Sequence, residues 1–320
     1  MTYEAFLKLV PTMLQEEMGE DVQVSLHTIY KNNNQKKEAL CILEQGSNVS
    51  PTIYLAPYYE RYQEGRKMGE ILEAILAEYR ANRCGLYLDV GEFQKFEKLR
   101  SRIVYKLVNY EQNQPLLQDM PHRRFLDLAV VYYFLIQNHF IGSGTALVHN
   151  RQMEAWGVDE ETLYRTACEN TDRLLGNELE PMPQVIRELL RKDLVRQVSL
   201  YPNRGDYSEE QLSLWASQIL NALMPEEKYI MYVLSNRDKY FGAAAVLNRR
   251  KLSAFASEHG NFYVIPSSIH EMILMPEAEP LSADELKRLL KEINADGKEG
   301  QEYLSSRIYY FNKDRDCLEY

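Results

Sequence analysis

The sequence predicts an α+β protein with mixed, mostly antiparallel sheets built from hairpins and flanked by amphipathic helices. Three observations predict it. Strand-period segments return on themselves across polar turns, several helical segments carry both an apolar face and a capping signature, and the helices stand in clusters between the hairpins. Strict alternation of strand and helix, the mark of a doubly wound parallel sheet, is absent.

Taken in order, residues 2 to about 18 read as a helix with Phe6, Leu7, Val10 and Leu14 on one face. Val22, Val24 and Leu26 then alternate with polar residues, Asn32 to Asn34 supply a turn, and "ALCILE" returns as a second strand. "PTIYLAPYYERYQEG" gives a short strand and a helix, with Pro57 in the first helical turn and Gly65 at the end. Met68, Ile71, Leu72, Ile75, Leu76 and Tyr79 follow at helical spacing. A charged helical segment is expected over Gly91 to Leu99, and a strand over "SRIVYKLVNYE". The run Val130 to Ile136 reads as a strand buried on both faces, with Gly142 to Gly144 ("GSG") as the turn of a hairpin.

A division near residue 150 is expected, giving domains 1–150 and 151–320. The second half opens with helices. Asp159 is an expected N-cap with a Val158/Leu163 staple, and Ser208 with Gln211 forms a capping box, stapled by Tyr207 onto Leu212. "KYIMYVLSNRDKYFGAAAVLN" reads as a hairpin turning at Asn236 to Lys239, and "RRKLSAFASEHG" as a helix stopping at Gly260. "NFYVIPSSIHEMILMP" reads as two strands joined by a polar turn. A Ser282/Glu285 capping box and a Leu281/Leu286 staple then open a helix, and "SRIYYFN" is a final strand.

Composition excludes several functions. The net charge of −10 gives no chain-wide attraction for a phosphate backbone or an anionic membrane. The basic runs "RANRC" (Arg80 to Cys84), "HRR" and "NRRK" are short and read as solvated surface. Cys41, Cys84, Cys168 and Cys317 are widely separated and form no zinc or thioredoxin motif. The longest apolar run, Leu128 to Ile136, is half the length a bilayer requires, and the amino terminus lacks an export signal. The expectation is a soluble cytoplasmic protein with reduced thiols, no cofactor, no metal, and a protein or peptide as partner.

Two groups of residues raise a chemical question. Ser267, Ser268, His270 and Glu271 share one polar turn. A serine nucleophile needs a base within reach and a group to orient that base. Ser268 and His270, two apart, share a face in an extended chain, but Glu271 then faces away. The turn therefore reads first as a capped corner, with Ser268 and Glu271 three apart, and second as a serine-dependent hydrolase site. Tyr58, Tyr59 and Tyr62 crowd one short helix, with Tyr58 and Tyr62 on the same side. They read as packing against the next helix or as a recognition surface. No two of the six histidines stand at metal-binding helical spacing, although His139 and His149 flank the expected "GSG" turn.

The phrases "PTIYLAPYYERYQEG", "PHRRFLDLAVVYYFLI", "WGVDEETLYRTACENT", "MYVLSNRDKYFGAAAVL" and "YVIPSSIHEMILMP" occur in that order. Together they resemble a bacterial family, domain of unknown function 5688, over nearly all of the chain. The "WG…LYRTACENT" phrase is also similar to one in a second uncharacterised bacterial group. The resemblance implies a cytosolic bacterial protein without an assigned reaction, and it brings no catalytic residues with it.

Overall fold

In a computed structural model the elements run as follows. Helix α1 (Tyr3–Met18) leads to β1 (Val22–Lys31), a tight turn at Asn32–Asn34, β2 (Gln35–Glu44) and β3 (Ile53–Tyr54). Helices α2 (Ala56–Gln63), α3 (Met68–Asn82) and α4 (Phe96–Leu99) precede β4 (Ile103–Asn109). Then come α5 (Gln114–Leu117), β5 (His122–Phe125), β6 (Leu128–Asn138), β7 (Gly142–Leu147), α6 (Asn150–Trp156) and α7 (Glu160–Leu175). The remainder comprises β8 (Glu178–Pro181), α8 (Met182–Ser199), α9 (Glu209–Leu223), β9 (Tyr232–Ser235), α10 (Arg249–His259), β10 (Phe262–Ser268), β11 (Glu271–Pro276), β12 (Tyr309–Asn312) and β13 (Cys317–Glu319). The structure describes residues 1–83, 90–138, 142–199, 208–223, 231–277, 285, 288, 291 and 300–320.

The fold is α+β. Its sheets have the orders β1-β2-β3, β4-β6-β5 with β7 on β6, and β13-β12-β10-β11-β9-β8. Every register described is antiparallel. The chain forms two compact units, both discontinuous: Met1–Val104 with Tyr110–Arg123 and Val131–Asn170, and Tyr105–Asn109 with Arg124–Val130 and Thr171–Tyr320.

The first unit has a core that the helical spacing foretold. Phe6, Val10 and Leu14 of α1 meet Leu40 and Ile42 of β2 and Ile71, Leu72, Ile75, Leu76 and Tyr79 of α3. Removing these side chains from water stabilises the unit by about 1.5–3 kcal/mol each. The hairpin β1–β2 pairs without a bulge from Val22↔Glu44 to Lys31↔Gln35. Its turn needs a left-handed residue, and Asn33 takes φ 59° there, a conformation asparagine tolerates well. Elsewhere in this unit the Tyr132 hydroxyl donates to Glu160, which Arg123 also grips, so the start of α7 is tied to β6. Burial first, then the Glu160 bond, pushes the Tyr132 phenol well above its ordinary range.

The second unit is organised by the six-stranded sheet. Phe262 and Phe311 stack at 4.9 Å between the paired strands β10 and β12. Asp127 accepts from the Tyr309 hydroxyl at 2.6 Å and the Ser305 hydroxyl at 2.7 Å, which fixes β12.

Capping signals were reliable. Asp159 Oδ1 accepts from the Thr162 amide at 2.9 Å. Ser208 and Gln211 exchange both bonds of the expected capping box, at 2.9 and 3.3 Å. Four expectations need correction or fall outside the description. "GSG" is not a turn: Gly142 to Gly144 lie within β7 and pair with Asn138 to Ile136. The expected hairpin at Asn236–Lys239 has only its first arm, β9, because Gly242–Leu247 is a 3-10 helix rather than a strand. Its small side chains fit closely beneath β9 and the β10–β11 turn, and β11 and β8 take the places beside β9. The segment Gly91–Leu99 is helical only in pieces. The helix opened by Ser282 lies outside the described residues except Glu285, Arg288 and Lys291, which are helical; Cys84, His139, Tyr207 and Leu281 lie outside them too.

Candidate functional site

The polar turn at residues 267–271 is formed by β10 and β11. Their register slips between Pro266 and Ser268, so that Ser268 faces Glu271 and Ile269 and His270 make the corner. Ser268 and His270 are therefore not two neighbours on one face of a strand. Ser268 Oγ accepts the His270 backbone N–H at 3.0 Å. Ser267, not Ser268, donates to Glu271, at 3.2 Å. Among the described residues neither serine hydroxyl bonds the His270 imidazole.

The imidazole is engaged elsewhere. Its Nδ1 accepts the backbone N–H of Phe241 at 3.1 Å. An acceptor at Nδ1 is unprotonated, so the neutral ring carries its proton on Nε2, and Nε2 stands 3.7 Å from Glu302 Oε1. The ring lies parallel to that of Phe241, with an interplanar angle of 4° at 5.9 Å, and 5.3 Å from Tyr240. Lys106 Nζ sits 3.9 Å from the Phe241 centroid, a cation–π contact on the ring that His270 also meets.

The partner of this turn is "SNRDKYFG", residues 235–242. Several of its residues are held by hydrogen bonds or ion pairs. Ser235 Oγ donates to the His270 carbonyl at 2.8 Å. The Asn236 amide closes on Tyr240 through both its oxygen and its nitrogen. The Arg237 N–H caps α7 at the Leu175 carbonyl, 3.0 Å. Lys239 lies 2.5 Å from Glu180 and 3.3 Å from Glu178. Partial burial disfavours its charge, but the two carboxylates outweigh that and hold the ammonium above its ordinary value. Phe241 takes φ 55°, a strained conformation for a bulky side chain that costs about 1–3 kcal/mol. The sequence carried no sign of that strain.

The tyrosine group resolves into packing. Tyr58 is a core residue whose hydroxyl donates to Glu78. Burial and that carboxylate raise its pKa far above the usual phenol value. Tyr59 packs on Tyr3 at 4.9 Å and Phe6 at 5.3 Å, and Tyr62 lies 5.9 Å from Phe6. Tyr58 and Tyr62 thus do not present one open face.

A different surface is exposed. Helices α8 and α9 pack together, and Arg191 donates to Ser213 between them. Leu189 and Leu190 of α8 and Leu214 and Trp215 of α9 are between 42% and 64% exposed. Leu212 and Ala216 take the buried side of α9. Sequence reasoning gave α9 its capping box and did not single out these side chains, because their exposure depends on what the rest of the chain covers.

A family model matches residues 3–313, nearly the whole chain. The chain belongs to the family of unknown function DUF5688. No curated protein and no solved structure matches it. Membership in DUF5688 agrees with the resemblance carried by the five quoted phrases and brings no reaction with it. Within this DUF5688 chain, no described helix is long and apolar enough to cross a membrane. No group of three or more histidine, cysteine, aspartate or glutamate residues that could hold a metal ion occurs among the described residues.

Proposed function

We propose that this chain is a non-catalytic binding protein that docks another protein on the outer face of α8 and α9. The observation that carries this reading is the exposure of Trp215 at 55% on α9, together with that of Leu214 on the same helix and of Leu189 and Leu190 on the helix packed against it. A tryptophan set among leucines is the composition of a binding hot spot, where a few large side chains supply most of the affinity. Apolar groups gathered in this way on a helix pair mark an interaction surface more often than scattered ones do. The flank of α8 carries Arg187, Arg191, Lys192 and Arg196 against Glu188 and Asp193. On a chain of net charge −10 this is a locally basic helix. The fitting partner surface is apolar at its centre, with carboxylates at its rim.

The bonding of the 267–271 turn supports a binding protein over a serine hydrolase. The Ser268 hydroxyl is committed to a main-chain N–H and the His270 Nδ1 to another. A fluorophosphonate probe is expected to leave Ser267 and Ser268 unlabelled in the native protein. Labelling lost on Ser268→Ala would establish the hydrolase instead. For the docking surface, a photoreactive benzoylphenylalanine at position 215 is expected to give one discrete crosslinked partner in cells. The same group at Glu210, on the same helix, should give none. Once the partner is in hand, Trp215→Ala should weaken binding tenfold or more, about 1.4 kcal/mol or above. No discrete adduct at position 215 would overturn the reading.

A further inference from the structure

A second surface, in the first unit, has the properties of a peptide-docking edge, and it is independent of α8 and α9. Strand β1 is the edge of the sheet β1-β2-β3. Two bonds fix which of its main-chain groups face outward. The Ile42 N–H donates to Ser50 Oγ at 2.9 Å, and the Glu38 carbonyl accepts from the Leu55 N–H at 2.9 Å. Residues 38 and 42 of β2 therefore turn their polar groups away from β1. Their register partners are Thr28 and Val24. In an antiparallel ladder such pairs exchange no bonds, so Thr28 and Val24 direct N–H and C=O to the outer side. Val22, Leu26 and Tyr30 share that parity.

The chain covers the first part of this edge itself. The Gln15 side chain of α1 donates to the Val22 carbonyl at 2.8 Å and accepts from the Val24 N–H at 2.9 Å. One amide side chain thereby stands in for a neighbouring strand. Past Val24 no described residue takes over this role. The outward N–H and C=O of Leu26, Thr28 and Tyr30 have no partner among the described residues. Leu26 and Tyr30 are 37% and 48% exposed on one face of the strand.

The far end of the edge is basic and rigid. Lys36 Nζ lies 5.5 Å from the Tyr30 ring, and Lys31 and Lys37 lie 5.4 Å from the Tyr54 ring. Among the described residues none of these three ammonium groups has a carboxylate partner within ion-pair distance. Glu38, the nearest acid in sequence, accepts the Thr28 hydroxyl at 3.0 Å instead. The hairpin tip is pinned. The Asn33 N–H donates to Asn113 Oδ1 at 2.7 Å, and Asn113 Nδ2 donates to Asn33 Oδ1 at 2.9 Å, both residues being buried. A fixed edge loses little conformational entropy when a strand adds to it.

We propose that the Leu26–Tyr30 edge of β1 docks an extended acidic peptide segment of another protein, which joins the sheet as a further strand. The main-chain groups of Leu26, Thr28 and Tyr30 supply the hydrogen bonds, and the exposed Leu26 and Tyr30 side chains receive alternate apolar residues. The lysines select carboxylates. Pairing of β1 with a second copy fits poorly, because it would bring two lysine groups into one interface between molecules of net charge −10.

The test uses the full 15N-labelled chain and an end-capped synthetic peptide of alternating valine and glutamate. Backbone amide signals of Leu26, Thr28 and Tyr30 are expected to move on titration, reaching saturation by about millimolar peptide. Binding should weaken as salt is added. A peptide with lysine in place of glutamate should bind at least about tenfold more weakly. The glutamate peptide N-methylated at alternate residues should do the same, since it keeps its side chains and charge but cannot complete the ladder. Thr28→Pro should also abolish binding while leaving the fold intact, because the lost N–H faces outward on an edge strand. Three results would overturn the proposal: no shift at these amides, equal binding of the methylated or lysine peptide, or a concentration-dependent dimer of the chain alone that Thr28→Pro dissociates. None of them bears on the α8–α9 reading, whose readout is crosslinking at position 215.

Discussion

Two hairpins, β1–β2 and β10–β11, are similar as sequence and opposite in structure. Each joins two strands through a polar turn, Asn32–Asn34 in one and Ser267–Glu271 in the other. The second turn is enclosed. Ser235 holds the His270 carbonyl, Phe241 donates to its ring, Ala243 donates to the Ile269 carbonyl, and Ile269 donates to Glu302. The first hairpin is anchored at its tip by Asn113 and at its open end by Tyr79 and Arg83 on Glu44, while among the described residues its outer edge beyond Val24 stays open. The lesson concerns polar groups. Catalytic-looking side chains in the 267–271 turn are occupied in holding a corner, and the unspent main-chain hydrogen-bonding capacity lies along the edge of β1 beyond Val24.

The contrast can be broken most severely at Gly242. A Cβ there would stand 2.1 Å from Ser235 Oγ and 2.6 Å from the His270 carbonyl oxygen. Since Asn236 backbone also lies 2.6 Å away, the neighbours cannot all yield. Gly242→Ala should cost about 3 kcal/mol or more in denaturant unfolding. Gly144→Ala, whose Cβ would meet Ile136 Cβ at an ordinary 3.9 Å, is the control. At the first hairpin, Asn113→Ala removes the partner of the Asn33 N–H and of Asn33 Oδ1 and should cost about 1–3 kcal/mol. A double-mutant cycle with Asn33→Gly, which keeps the left-handed turn, should show coupling between the two sites. Additive losses would mean the tip is not pinned by this pair.

The open end of the same hairpin should respond to pH. Burial and the Glu44 hydrogen bond push the Tyr79 phenol up to about 12 from its ordinary value of 10.0. The folded pKa is raised, so this contribution is complete below pH 10 and is lost as pH rises through about 12. Urea unfolding should show stability falling across that window, less steeply in Tyr79→Phe. Glu44 works in the other direction. The Arg83 bond first and the Tyr79 bond second lower its pKa, so its contribution is present above 4.5 and fades as pH falls through the lowered value. Gln15→Ala should lower stability by only about 0.5–1.5 kcal/mol. It should nonetheless speed amide exchange at Val24 to the rate of Thr28. The smallest effect is expected at Ser268→Ala, about 1 kcal/mol or less, because its hydroxyl satisfies a half-buried N–H that water can reach.

Much of the local structure was legible because it depends on neighbours in the chain. The apolar spacing of α1 and α3, the Asp159 and Ser208 caps, and the asparagine turn each arise from side chains within a few residues. Reading went astray where a segment's conformation answers to distant partners. "GAAAVL" reads as the second arm of a hairpin, yet it folds as a 3-10 helix, and at Gly242 a Cβ would collide with Ser235 and the His270 carbonyl. The tyrosines of α2 read as packing against the next helix or as a recognition surface, and it is the preceding helix α1 that Tyr59 and Tyr62 meet, while Tyr58 lies in the core.

The sequence by itself determined the fold class, most of the helix starts and the membership in DUF5688, since periodicity and capping are written in spacing. Tertiary structure alone decided that His270 turns to Phe241 and not to Ser268, that Gln15 covers the first part of the β1 edge and leaves the rest open, and that Trp215 stays on the outside. The physical reason is the same in each case. A hydrogen bond or an exposed face depends on which remote group arrives within about 3 Å, and no local pattern encodes that arrival.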